Sequence, residues 1–429
     1  MISQYWAPEN GVPQRRWSWL SKLLVDSGHE VTVIAPPPHY ERKIALNEWW
    51  KKRQMNSASD LTIGPSGERI LRTGYFPAGQ SLSRKILNQA AVALGALRVI
   101  SRRSGPMSSY TPDLIIGTVP ALPTAVVTAF ASMRFKKPYV IDLRDAWPDL
   151  LRESSRWNKS TGKASIREKV FSMGPLQVMK ALTGVALRGV LKYASGLIVT
   201  SAALERELQQ RHADPKDSYC QCSVVIRNVF PPLTRMKVSP TSGRPLNSLN
   251  VLYAGTIGRA QNLENAINAV RIALSQGVCI RLRFVGAGAA KAELRKLARD
   301  IPGSIEFVYR HPADELDSHY SWADTALVHL TDWPALNKAV PSKTYELMSI
   351  GLHITAVADG ETAKIVDGLD AGHVVRPESP RELAALWESF VKKPDLLNVG
   401  DAGAQWVKQE REVIVPKTLH DFISKVTQS

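Results

Sequence analysis

Residues 341–351 read PSKTYELMSIG. The stretch has the chemistry of a helix start: proline is tolerated at the first position and Ser342 is a good cap. Tyr345, Leu347, Met348 and Ile350 then follow at helical spacing. A helix start carries unpaired N–H groups and partial positive charge, which makes it an anion site, and Lys343 adds a cation in the first turn. Glu346 lies three residues further on and faces the same way. A carboxylate accepts two hydrogen bonds at once and so suits a pair of hydroxyls. Phosphate beside a diol describes a nucleotide. The plainer alternative is a capped helix with a salt-bridged glutamate.

Three other strand ends in the second half of the chain collect similar groups. YAGTIGRAQNLE (253–264) sets Arg259 just before a helix start, a natural place for a diphosphate. FVGAGAAK (284–291) has Gly286 and Gly288 after a strand, where a backbone without side chains can approach a ligand. VYRHPADEL (308–316) ends a strand with Arg310 and His311 at a turn. In open parallel sheets ligands bind outside the carboxyl ends of the strands. Four such loops in series, with cations and one glutamate, point to a nucleoside diphosphate more strongly than any one of them does.

The elements that must position these groups are apolar strands alternating with amphipathic helices. In the first half EVTVIAP (30–36), PDLIIGTV (112–119), PYVIDLRD (138–145), SGLIVTS (195–201) and SVVIRN (223–228) read as strands. In the second half the strands are 249–255, 281–288, 305–310, 325–330, 352–359 and 372–377, with helices such as 16–28, 263–277 and 290–300 between strands. Val/Ile/Leu-rich strands alternating with helices predict an α/β fold of two doubly wound domains with parallel sheets. The expected boundaries are residues 1–238 and 249–403, with the Pro/Ser/Gly-rich segment 231–248 as linker and a final helix, 404–429, completing the first domain. Only three residues precede Gln4, so an incomplete first strand is expected.

The 429-residue chain carries a formal charge of +16, unevenly spread. Residues 1–240 hold 34 Lys and Arg against 17 Asp and Glu, while 241–429 hold 21 against 22. The first half is therefore expected to face an acidic partner. Its aromatic residues are not interleaved with the charge, which argues against nucleic acid. Three cysteines without a Cys-x-x-Cys pair suggest neither a disulfide framework nor a zinc site. The longest apolar runs are too short to span a bilayer, which takes about 20 residues. In 81–103, however, Leu82, Ile86, Leu87, Ala90, Leu94 and Leu97 form a stripe flanked by Arg84, Lys85, Arg98, Arg102 and Arg103. Such a helix can lie in a membrane interface or pack within its domain.

Taken in order, SQYWAPENGVPQRRWSWLSKLLVDSGHEVTVIA, IDLRDAWPDL, NVLYAGTIGRAQNLE, LRFVGAGAAKAELRKLA and VPSKTYELMSIG resemble the family 4 glycosyltransferases. The likeness is strongest to the bacterial surface-polysaccharide branch with O-antigen and colanic-acid transferases. It implies two Rossmann-like domains across a cleft, a nucleotide-sugar donor (UDP- or GDP-linked) in the second and an acceptor in the first. It also implies retention of anomeric configuration, no metal and no cofactor beyond the nucleotide sugar. The absence of an Asp-x-Asp pair and of a phosphate-binding Walker loop agrees with this. Glu346 then matches the residue holding the donor ribose, Arg259 and Lys343 the cations on its phosphates, and Gly11 the first-loop glycine whose amide approaches them. Gly286, Arg310, His311 and Ser342 complete the donor loops. The wider family has a glutamate near the donor sugar where Lys338 stands here, and a lysine after the arginine where Gln261 and Asn262 stand. Asp145, with Asp142 and Arg144, marks the strand end where many relatives place an acceptor-side histidine.

The resulting expectation is a glycosyltransferase working peripherally on the cytoplasmic face of the plasma membrane with a lipid-linked saccharide acceptor. The alternatives are a non-catalytic donor-binding subunit, suggested by Lys338, and a sugar-nucleotide epimerase on the same fold.

Overall fold

The computed structural model describes residues 1–9, 11–39, 49–50, 61–77, 82–102, 109–119, 121–146, 175–212, 222–234, 247–309 and 315–428. Arg310, His311 and most of the expected linker lie outside them.

The first domain contains α1 (Val12–Asp26), β1 (Thr32–Ala35), β2 (Leu61–Ile63), β3 (Arg69–Arg72), α2 (Leu82–Ser101), β4 (Ile115–Val119), α3 (Leu122–Phe135), β5 (Tyr139–Leu143), α4 (Pro175–Tyr193), β6 (Gly196–Val199), α5 (Ala202–His212) and β7 (Ser223–Val225). Its strands run in the orders β1-β3-β2 and β4-β5-β6-β7. Met1–Ser3 join the two groups. The Ile2 amide donates to the Ile116 carbonyl (2.8 Å), and the Ser3 amide donates to that of Ile34 (3.0 Å). Three residues thus hold the position of the first strand. The antiparallel β2 and the short β3 were not legible in the sequence: β2 is exposed throughout, and β3 buries only Ile70 and Leu71 between two arginines.

Alternation along the strands divides the core. Tyr139, Ile141 and Leu143 of β5 pack with Ala96 and Val99 of α2, Ala125 and Val127 of α3, and Leu187 and Leu191 of α4. Val140 faces the opposite side, with Trp17 and Leu20 of α1. Helices α2, α3 and α4 therefore cover one face of the sheet and α1 the other, as period-two side chains require.

The second domain contains β8 (Ser248–Ala254), α6 (Glu264–Ser275), β9 (Cys279–Val285), α7 (Lys291–Leu297), β10 (Ile305–Val308), α8 (Asp317–Trp322), β11 (Thr325–His329), α9 (Ser342–Ile350), β12 (Ile354–Val357), α10 (Gly360–Gly368), β13 (Gly372–Val375), α11 (Pro380–Lys392), α12 (Ala402–Gln409) and α13 (Val415–Gln428). Its six strands are all parallel, in the order β10-β9-β8-β11-β12-β13. The order reverses between β8 and β11, which makes the carboxyl ends of these strands the switch point where open parallel sheets bind ligands in a crevice. α13 returns to the first domain. Its buried Leu419, Phe422, Ile423 and Val426 lie on one helical stripe. A Cβ on Gly196 of β6 would stand 2.5 Å from the Phe422 ring, which is how closely the helix seats.

Candidate active site

The first domain reaches the cleft through α1. Its two adjacent arginines point in different directions. Arg16 is fully buried and donates through Nη2 to Asp142 Oδ1 (3.0 Å), while Trp17 Nε1 donates to Oδ2 (2.6 Å). Arg16 Nη1 also donates to the Ile226 carbonyl and to Asn228 Oδ1. Asp142 is thus a structural anchor between α1 and β5, and losing one partner of such a buried pair costs about 3–5 kcal/mol. Of the three charged groups expected at this strand end, Asp145 is exposed and Arg144 is mostly enclosed. Burial lowers the Arg144 guanidinium from its usual value, and the nearby Asp142 charge offsets this. Gly11 precedes α1 as its cap, with its carbonyl accepting from the Arg15 amide (3.0 Å).

Arg15 turns toward the second domain. Its Nη2 donates to the Pro231 carbonyl (2.9 Å), its Cζ stands 4.6 Å from the centre of the Phe230 ring, and its Nη1 lies 3.8 Å from Glu346 Oε2. Glu346 is buried one turn into α9. Tyr320 Oη donates to its Oε1 (2.7 Å), and Lys343 Nζ is 3.1 Å from its Oε2 and donates to Tyr320 Oη (2.9 Å). Burial, then the Glu346 charge, pushes the Tyr320 phenol far above its usual range, so it remains a donor. Burial lowers the Lys343 ammonium, and Glu346 offsets part of the shift. A carboxylate has about four acceptor positions. Tyr320 and Lys343 fill two, which leaves two for a diol.

One detail of the helix start differs from the expectation. Pro341 occupies the cap position, Ser342 is already helical, and no side chain caps this end. The extended Pro341 (φ −57°, ψ 133°) cannot donate, and its side chain cannot accept. The first-turn amides consequently have no side-chain acceptor, which leaves them suited to an anion.

The glycine loops have a packing reason of their own. A Cβ on Gly286 (φ +157°) would lie 2.0 Å from the Gly255 carbonyl oxygen, and one on Gly288 would lie 2.0 Å from that of Ile257. The loops after β8 and β9 are zipped backbone to backbone, with the Ile257 amide donating to the Ala287 carbonyl (3.0 Å). Lys291 Nζ ties the ends of β9 and β10 by donating to the carbonyls of Gly286 (2.9 Å) and Val308 (2.8 Å). Arg259 opens the short 3₁₀ turn Arg259–Gln261 after β8. Gln261 folds back, its Oε1 accepting from the Gly258 amide (3.2 Å), and the Thr331 amide donates to the Ala260 carbonyl. The loops after β8 and β11 therefore share a wall of the crevice.

Lys338 does something the sequence did not suggest. Its ammonium pairs with Glu207 on α5 of the first domain, and the Ser201 hydroxyl donates to its carbonyl. Beside it, Glu361 at the start of α10 accepts from the first-turn amides of α5, Ala202 (3.1 Å) and Ala203 (2.6 Å), and pairs with Arg227. The second domain thus supplies the carboxylate that the amino end of α5 attracts. Sequence reasoning missed Arg15, Tyr320, Glu207 and Glu361. Arg15 lay in view four residues after Gly11, but adjacent arginines do not reveal which one faces inward.

Two family descriptions match this chain. The glycosyl transferase 4-like domain covers residues 11–217, and glycosyl transferases group 1 covers residues 235–409. Together they span most of the chain, which belongs to these glycosyltransferases and is an enzyme of nucleotide-sugar-dependent glycosyl transfer. Among curated relatives, the putative colanic acid biosynthesis glycosyl transferase WcaI of Escherichia coli K12 is 23% identical over 372 residues, covering 84% of each chain. WcaL of the same organism is 25% identical over 197 residues, covering 45% of this chain and 46% of that protein. Among solved structures, the sucrose-phosphate synthase of Thermosynechococcus elongatus superposes with a TM-score of 0.66 at 15% identity, covering 99% of this chain and 98% of that one. Anabaena HepE in complex with UDP-glucose gives 0.60 at 15%, with 99% of both chains covered. The two-domain fold expected from the sequence is the fold of these enzymes.

Proposed function

We propose that this glycosyltransferase moves a sugar from a UDP- or GDP-linked donor to a lipid-linked saccharide in bacterial surface-polysaccharide synthesis, with retention of configuration and without a metal. The observation that carries the donor side is the convergence of Lys343, Tyr320 and Arg15 on Glu346 beside the uncapped start of α9. In this reading Glu346 takes the ribose hydroxyls. The α9 amides, Lys343 and Arg259 take the diphosphate, with Gly11, Gly286 and Ser342 in the surrounding loops.

As the bond to the diphosphate breaks, the sugar becomes oxocarbenium-like and charge builds on the leaving phosphate. Fixed cations and helix-start amides in an enclosed cleft stabilise that charge, and removing one such group costs about 3 kcal/mol, roughly 100-fold in rate. The same cations supply the positive charge that a metal would otherwise bring. The departing phosphate takes the acceptor proton on the face it leaves. Asp145, exposed at the end of β5, stands on the acceptor side. The acceptor assignment is supported by the colanic acid relatives and by the basic first domain.

The test is a panel of nucleotide sugars incubated with membrane lipid extract in the presence and absence of EDTA, read by mass spectrometry. One nucleotide sugar should add one sugar mass to a lipid species whether or not chelator is present, and NMR of the product should show the donor's anomeric configuration. Altered free nucleotide sugar with no glycosylated lipid would indicate an epimerase. Loss of transfer in EDTA, restored by Mg²⁺ or Mn²⁺, would contradict metal independence.

A further inference from the structure

The outer surface formed by α2, α3 and α4 differs from the rest of the molecule. Their sequences contain seven lysines and arginines and no aspartate or glutamate. Six large apolar side chains on them lie between 48% and 75% exposed: Leu87 and Leu94, Val126 and Met133, Val185 and Tyr193. The pairs on α2 and α3 are seven residues apart, two helical turns, so each pair lies along one outward line. The stripe expected from the sequence was only partly right. The buried side of α2 is Val92, Ala96, Val99 and Ile100, and Leu97 packs against that core, whereas Leu87 and Leu94 face solvent. At the margin, among the described residues, Asp113 lies 3.7 Å from Lys137.

An apolar face with no charge would suit a second protein chain. Here exposed Arg84, Lys85, Arg98, Arg134 and Lys192 border the apolar positions, and a second copy would bring the same positive charge against them. Lipid headgroups bring the opposite charge and accept apolar side chains at shallow depth. α3 follows β4 and runs back along the sheet, so its first turn lies at the strand ends that face the cleft. A surface docked here therefore lies beside the cleft mouth, where a lipid-anchored acceptor is presented.

We infer that the joint face of α2, α3 and α4 docks on an anionic bilayer through its basic rim and its six outward apolar side chains. The inference rests on the proposed lipid-linked acceptor for its purpose but not for its test.

The full chain would be sedimented with phosphatidylcholine vesicles and with vesicles containing phosphatidylglycerol. A basic side chain held near an anionic leaflet raises partitioning about fivefold. The chain should pellet with the anionic vesicles at 0.1 M salt and be released at 1 M, as the screening length shrinks from about 10 Å to about 3 Å. Replacing Arg84, Lys85, Arg134 and Lys192 by Gln should lower partitioning by roughly 600-fold, about fivefold for each charge. Leu87→Ser with Leu94→Ser and Met133→Ser should weaken it with the charges intact. Nucleoside diphosphate affinity, measured on every variant, should stay unchanged, which separates loss of docking from loss of the donor site. Indifference to anionic vesicles, or variants that bind like the parent, overturns the inference. So does a dimer in solution that the serine variant dissociates, because the face would then belong to a second copy.

Discussion

Arg15 Nη1 and Glu346 Oε2 stand 3.8 Å apart across the boundary between the two domains. Arg15 is held from its own side by the Pro231 carbonyl and the Phe230 ring, so its charge is presented to the second domain in a fixed position. Arg15→Ala should weaken nucleoside diphosphate binding about tenfold, ~1.4 kcal/mol. Arg15→Lys should recover only part of this, because a lysine lacks the planar fork that makes both contacts. Calorimetric titration of the two variants checks this, and equal affinity for parent and Arg15→Ala would remove Arg15 from the site.

The pairing of Lys338 with Glu207 gives a second expectation, for stability. Lys338→Glu sets two carboxylates against each other, and Glu207→Lys sets two ammonium groups against each other. The double swap restores the pair. A double-mutant cycle by thermal melting should show a coupling of about 1–2 kcal/mol favouring the swap. Additive single effects would mean that the pair does not hold the domains together.

Acid should destabilise the second domain through two histidines. His353 is 2% exposed, between Thr325 Oγ1 (2.8 Å from Nδ1) and His373 Nδ1 (2.9 Å from Nε2). Burial, then the His373 charge, lowers its pKa to about 3. Burial lowers His329, held by Asn265 at 3.0 Å, to about 3 as well. Unfolded histidine titrates near 6.5, so between pH 3 and 6.5 the unfolded chain binds more protons than the native one. The stability contributed by the neutral rings is complete above about 6.5 and falls as pH drops, by about 1.4 kcal/mol per pH unit for each ring. At pH 5 the two together should cost about 4 kcal/mol relative to pH 7.5. Urea unfolding at the two pH values checks this, and His353→Gln should roughly halve the difference. No difference in the parent would contradict the assignment.

The central strands of the second domain were legible because they are buried on both faces, as in LNVLYAG around β8 and TALVHL around β11. Glu346 and Lys343 were legible because a helix brings residues three apart together. What remained hidden depended on tertiary neighbours. β3 was unreadable because its arginines mask two core residues. Ser342 looked like a cap because its hydroxyl is the usual one, whereas Pro341 holds the position. Tyr320 is 26 residues from Glu346, and Glu361 is 158 residues from Ala203, separations that no local pattern encodes. Gly286 was readable as a close approach, but its neighbour is the Gly255 carbonyl.

The measurement that bears most directly on the donor site is calorimetric titration of UDP and of GDP into the parent chain and into Glu346→Ala, Lys343→Ala and Arg259→Ala, with thermal melting of each to confirm folding. One of the two nucleotides should bind the parent, and each variant should stay folded. Glu346→Ala and Lys343→Ala should each lose at least tenfold in affinity, about 1.4 kcal/mol or more. Unchanged affinity in all three folded variants would place the nucleotide elsewhere and contradict the account.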